Sequence, residues 1–68
     1  MKYDGTKLKR ARMAKGYRQT QVAAATGVLQ PTISEVESGK CQDPPTFKKL
    51  ADFYGIALNE LIEDEQPA

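Results

Sequence analysis

The stretch Gln19-Thr20-Gln21-Val22-Ala23-Ala24-Ala25-Thr26-Gly27-Val28-Leu29-Gln30-Pro31-Thr32-Ile33-Ser34-Glu35-Val36-Glu37-Ser38 decides the reading of this chain. Taken as one unit of twenty residues, it has Ala23 fifth, Gly27 ninth, Val28 tenth, Ile33 fifteenth and Val36 eighteenth. Two helices that cross steeply over a tight turn need a small side chain where their backbones approach, and Ala23 supplies it. The turn needs a residue that tolerates left-handed φ, and Gly27 supplies that. The second helix needs apolar residues three apart to dock on the first, and Ile33 and Val36 supply them. Each match alone is weak; together, at fixed offsets, they predict a helix from Arg18–Gln19 to Gly27 and another from Gln30 to Glu37.

Outward from that pair, Leu8, Ala11 and Arg12 lie at helical spacing. They predict a first helix over 6–15, ended by Gly16. Pro44-Pro45 opens a fourth helix, since proline's fixed φ and missing N–H do least harm in a first turn. Phe47, Leu50, Ala51 and Tyr54 carry it to Gly55. Ile56 leads into an expected fifth helix with Leu58, Leu61 and Ile62 on its apolar side. The fold class is therefore all-α, a compact five-helix domain over 6–63, with a loose arm over 1–5 and a polar, disordered tail over 64–68. Gly5 reads as the break before structure begins.

Composition narrows the function classes. A chain of 68 residues makes one domain and leaves no room for a deep substrate cavity beside a core. Folding at this size buries only about 60% of the unfolded surface. With no histidine and one cysteine, neither a disulfide framework nor a Cys/His zinc site can be assembled, and no metal or cofactor is expected. A nucleophile–base pair is equally hard to build, so an enzyme is not expected. Glu60, Glu63 and Asp64 read as solvated surface, and Cys41 as an idle loop thiol with only Lys40 nearby to activate it. No run is apolar enough to span a membrane and no signal peptide follows Lys2, so a cytoplasmic setting is expected. The net charge of +1 hides an asymmetry. Lys2, Lys7, Lys9, Arg10, Arg12, Lys15 and Arg18 face only Asp4 in the first eighteen residues, whereas Asp52, Glu60, Glu63, Asp64 and Glu65 close the chain. Such a chain can hold a polyanion at one face; the plainer alternative is two solvated helix faces.

The motifs resemble the helix-turn-helix domains of phage repressor and Cro type, also called the XRE family. The resemblance runs through Leu8-Lys9-x-Ala11-Arg12, Gln19-x-x-Val22-Ala23-x-x-x-Gly27-Val28, Gln30-Pro31-Thr32-Ile33-Ser34, Glu37-x-Gly39-Lys40 and Leu50-Ala51-x-x-Tyr54-Gly55-Ile56 with Leu58-x-Glu60-Leu61. It implies a lambda-repressor-like fold with the helix-turn-helix at helices two and three. Helix three becomes the recognition helix in the major groove of double-stranded DNA. The base contacts implied are Gln30, Pro31, Thr32, Ser34 and Glu35, with the Gln30 amide suited to adenine N6 and N7. The phosphate contacts implied are Arg18, Gln19, Ser38 and Lys40. Arg12 and Glu37 match the family's internal ion pair, the alternative being two independent surface charges.

Two positions depart from the family pattern. Leu29 stands where serine or threonine often caps helix three; it either reaches a thymine methyl or packs against a partner. Glu35 stands where a basic or amide side chain is common, and faces either a phosphate or a cytosine N4. Tyr17, Phe47, Phe53 and Tyr54 read as packing residues. The function implied is a transcriptional regulator, a repressor that binds a pseudo-palindromic operator as a homodimer at the nucleoid, with Ile56, Leu58, Leu61 and Ile62 as the dimer surface. A protein-interaction role, as in antitoxins of this family that neutralise a toxin and repress their own operon, is the alternative. Controller proteins of restriction-modification systems are a third variant that still binds DNA.

Overall fold

The computed structural model describes residues 2–63; the tail expected over 64–68 lies outside the described residues. In chain order it has strand β1 (Lys2–Tyr3), helices α1 (Gly5–Ala14), α2 (Gln19–Thr26), α3 (Gln30–Ser38) and α4 (Pro44–Tyr54), a single 3-10 turn (Leu58–Leu61), and strand β2 (Ile62–Glu63).

The helix starts are set by local chemistry. Asp4 accepts the Thr6 N–H at 2.9 Å and opens α1. Asp43 opens α4, accepting from the Thr46 N–H at 3.3 Å and its hydroxyl at 2.6 Å. The two bonds from backbone N–H groups are N-cap bonds that satisfy donors the helix itself leaves unpaired. The turn between α2 and α3 is closed by Gly27 at φ 78°, whose N–H reaches the Ala23 carbonyl at 2.9 Å. The Thr26 hydroxyl tightens the same turn, donating to the Val22 carbonyl at 2.7 Å and accepting from the Val28 N–H at 3.2 Å.

α3 packs across α1 and α2, while α4 packs against α1 and the 3-10 turn. Leu8, Val22, Val28, Ile33, Val36, Phe47, Leu50, Ala51, Tyr54 and Leu61 form one buried core. Burying each large aliphatic or aromatic side chain contributes roughly 1.5–3 kcal/mol, so α3 is held by its two apolar anchors, Ile33 and Val36. Ala23, at the crossing of α2 and α3, is half-buried against this core.

Three sequence expectations are corrected. There are four α-helices, not five. Leu58 and Leu61 turn toward the core three residues apart, the period of a 3-10 turn, and the Ile62 backbone is then taken up in β2. The expected loose arm is fastened. Lys2 pairs with Glu63 and Tyr3 with Ile62 in an antiparallel ladder, and the Gln42 side chain holds both the N–H (2.8 Å) and the carbonyl (3.1 Å) of Tyr3. The Tyr3 ring stacks on Phe47 at 4.9 Å. Gly5 is not a break but the first residue of α1, buried against α3. A Cβ there would fall 1.7 Å from the Val36 carbonyl oxygen, so only glycine permits this approach.

Candidate nucleic-acid interface

Gln19 and Gln30 are each the first residue of a helix, α2 and α3, and the turn brings them together. The Gln30 Nε2 donates to Gln19 Oε1 at 2.7 Å. The Gln19 Nε2 donates in turn to Glu37 Oε1 at 3.0 Å. Glu37 is also gripped by Arg12, whose Nε reaches Oε2 at 2.8 Å and whose Nη2 reaches Oε1 at 3.2 Å. The remaining Arg12 donor, Nη1, holds the Tyr17 carbonyl at 2.9 Å. One chain of hydrogen bonds thus runs from the end of α1, through the tail of α3, to the leading ends of α2 and α3.

The polarity of this chain follows from its inner end. An ionised carboxylate only accepts hydrogen bonds, so Gln19 must turn its NH2 toward Glu37 and its carbonyl oxygen the other way. Gln30 must then offer an N–H to Gln19. That leaves the Gln30 carbonyl oxygen and its second N–H to the outside. These are one acceptor and one donor side by side, the pattern that matches adenine N6 and N7.

The carboxylate sits in a screened place. The Glu37 side chain is only 4% exposed and that of Arg12 14%. The Arg12 pKa is raised, first by its hydrogen bond to Glu37, with burial opposing. Within range of both charges, the buried Tyr54 hydroxyl finds no hydrogen-bond partner among the described residues. Its pKa is pushed up to about 12, first by burial and then by the Glu37 charge.

The other residues implied by the resemblance fall in three groups. Gln30 and Ser34 stand one turn apart on an exposed face of α3, with exposed Pro31 and Glu35 beside them, while Thr32 is half-buried at the rim. Arg18 is exposed at the N-cap of α2. Ser38 and Lys40 are exposed too, but at the far end of α3, roughly 12 Å of helix rise from Gln30. There the Ser38 hydroxyl donates to the Glu35 carbonyl at 3.1 Å. At the expected dimer surface, Leu61 is fully buried within its own molecule and cannot form one. Ile56, Leu58 and Ile62 are half-buried. The basic N-terminal block is partly spent internally, on Arg12 as described and on Lys7, whose Nζ donates to the Glu60 carbonyl at 2.8 Å. Sequence reasoning treated Gln19 and Gln30 separately and missed their link and the tie to Glu37. The signal was their shared place as first residues of consecutive helices.

Among the described residues no helix is long and apolar enough to cross a membrane, and no three His, Cys, Asp or Glu side chains are grouped to hold a metal. Cys41 is a free thiol, half-buried against the core.

Comparison with known proteins agrees with this geometry. A family model described as Helix-turn-helix matches residues 8–61. The chain is 32% identical over 60 residues to the SPbeta prophage-derived uncharacterized HTH-type transcriptional regulator YonR of Bacillus subtilis (strain 168), covering 87% of this chain and 56% of that protein. It is 35% identical over 63 residues to the cryptic phage CTXphi transcriptional repressor RstR of Vibrio cholerae, covering 90% of this chain and 56% of that protein. The chain therefore spans about half the length of the curated relatives it matches. No solved structure matches. From the crossing of α2 and α3 to the residues matched along almost the whole core, the chain belongs to the helix-turn-helix family, in its phage repressor and Cro type.

Proposed function

We propose that this protein is a sequence-specific, double-stranded-DNA-binding transcriptional regulator. It acts as a repressor that docks α3 in the major groove of a pseudo-palindromic operator. The observation that carries the reading is the hydrogen bond between Gln30 and Gln19 at the leading ends of α3 and α2. It holds a bidentate amide at the exposed end of the recognition helix, and it ties that amide to a buried ion pair. Gln30 reads adenine, with Ser34 and Glu35 along the same exposed face. Arg18 and Gln19 stand where phosphate would run, supported by the partial positive charge of the α2 N-terminus. Ser38 and Lys40 serve the phosphates at the far end of α3. The protein works as a homodimer whose recognition helices enter successive major grooves about 34 Å apart, with Ile56, Leu58 and Ile62 at the dimer surface. Its relatives' names, a transcriptional regulator and a transcriptional repressor, support the same reading.

Selection of bound sites from random duplex DNA at a stated salt concentration tests the proposal. The expected result is a repeated half-site containing an adenine at which Gln30→Ala relaxes the preference, by about 1–3 kcal/mol of discrimination. Arg18→Ala should weaken binding to all sequences alike and lower the salt slope by about one phosphate equivalent. Failure to enrich any motif refutes the function. Sedimentation as a monomer both free and on the operator refutes the dimer alone.

A further inference from the structure

Leu29, Gln30 and Pro31 follow one another at the leading end of α3, and all three are exposed. Only the middle one carries a hydrogen-bonding side chain. Leu29 is 71% exposed, more than any other large hydrophobic residue among those described. Tyr17 and Phe53, also partly exposed, lie against each other with ring centroids 5.6 Å apart, and the Leu29 side chain is not among those packed on the core. Leu29 is also the N-cap residue of α3 and supplies no side-chain hydrogen bond there. A serine at that place would hold the helix start more firmly. The residue thus leaves the free protein with an uncapped helix start and an aliphatic side chain that does not pack on the core, and it adjoins the amide proposed to face DNA.

The chemistry of the groove narrows what such a side chain can recognise. Base edges in the major groove offer hydrogen-bond donors and acceptors and a single apolar group, the C5-methyl of thymine. We infer that Leu29 is a specificity-determining residue that takes a thymine 5-methyl group at or next to the base pair read by Gln30. The inference rests on the DNA-binding function proposed above. Leu29 joins Gln30 in a composite reader, an aliphatic side chain for the methyl beside an amide for the purine. The preference it adds is for thymine over cytosine and over uracil, which differs from thymine only by the methyl.

The test uses the best site recovered from random duplex DNA. Each thymine in the half-site is replaced in turn by uracil, and affinities are measured at one salt concentration for the native protein and for Leu29→Ala, Leu29→Ser and Pro31→Ala. For the native protein, one uracil position should weaken binding about three- to ten-fold, the scale of one buried methyl-sized group in a well-packed contact. Leu29→Ala should bind the all-thymine site more weakly by a similar factor and lose nothing further at that position. Leu29→Ser should be equally insensitive while melting at a higher temperature, which separates methyl reading from helix stability. An unchanged uracil profile in Leu29→Ala, or loss of the sensitive position in Pro31→Ala instead, overturns the inference and leaves DNA recognition standing. If no motif is recovered at all, the DNA-binding function falls and the inference with it.

Discussion

Helices α3 and α4, of nine and eleven residues, are neighbours in the chain and begin in opposite ways. Both carry proline in the first turn, but at α4 the Asp43 side chain caps it through two bonds to Thr46. Its inner face then buries Phe47, Leu50, Ala51 and Tyr54. At α3, Leu29 caps nothing, Gln30 is exposed, and the buried residues are Ile33, Val36 and the charged Glu37. One helix is optimised from its first residue for holding the fold. The other buries nothing apolar in its first turn and packs on the core through Ile33 and Val36, with Glu37 in an ion pair. Its first residue is tied only by the Gln30 amide to Gln19.

The largest test of this contrast is to remove the polar anchor of α3. Arg12→Ala leaves Glu37 a buried charge without its counter-ion and should destabilise the fold by about 3–5 kcal/mol in chemical denaturation. A domain this small has little more than that to lose, so the variant should be largely unfolded near body temperature. A loss under about 1 kcal/mol would show that α3 is held by its aliphatic anchors alone.

The caps give a paired test of intermediate size. Asp43→Ala should cost about 1 kcal/mol of stability, and Leu29→Ser should add a comparable amount. Equal responses of the same sign at the two sites would remove the contrast between the helix starts.

The smallest effect concerns the buried Tyr54 hydroxyl, which lacks a partner among the described residues. Tyr54→Phe should be neutral or stabilising by up to about 1 kcal/mol at neutral pH, because an unpaired buried polar group is removed. Its pH dependence has a definite sign. The folded-state value is about 12, whereas an unfolded tyrosine titrates near 10 (roughly the reference value). Between these the unfolded chain gives up the proton and the folded chain keeps it, so raising the pH favours unfolding. The contribution is fully present below about pH 10 and lost progressively as pH rises toward 12. The stability difference between native and Tyr54→Phe protein, followed across that window, should shift in favour of Tyr54→Phe. A flat difference would place the hydroxyl in contact with solvent.

The helix pair was legible in the sequence because its determinants are local. Ala23, Gly27, Ile33 and Val36 lie within twenty residues and each answers a requirement of the backbone between them. The partnership of Arg12 with Glu37 was also readable, since both positions match one family pattern. The ends of the molecule were not. The pairing of Lys2 with Glu63 joins residues from opposite ends of the chain, and two-residue strands have no periodicity to detect. Gly5 was misread for a related reason. Its backbone freedom is visible in any sequence, but its need to lie against the Val36 carbonyl belongs to tertiary structure. Leu61 carried the same apolar signal whether it faced a second copy or its own core, and the structure places it in the core. The link from Gln30 through Gln19 to Glu37 depends on side-chain reach across the turn, which spacing alone does not specify.

The terminal ladder has a mechanical meaning. Lys2 lies beside Glu63 and Tyr3 beside Ile62 in antiparallel register, so the chain enters and leaves this domain side by side. Tension applied between the two ends loads those bonds one at a time, as a zipper is opened, and not all together in shear. The ladder parts first, followed by the Asp4 N–H from the Leu61 carbonyl and the Tyr3 backbone from Gln42. Because none of these bonds belongs to α2, the turn or α3, a pull on the ends is spent on a sacrificial clasp before it reaches the helix-turn-helix.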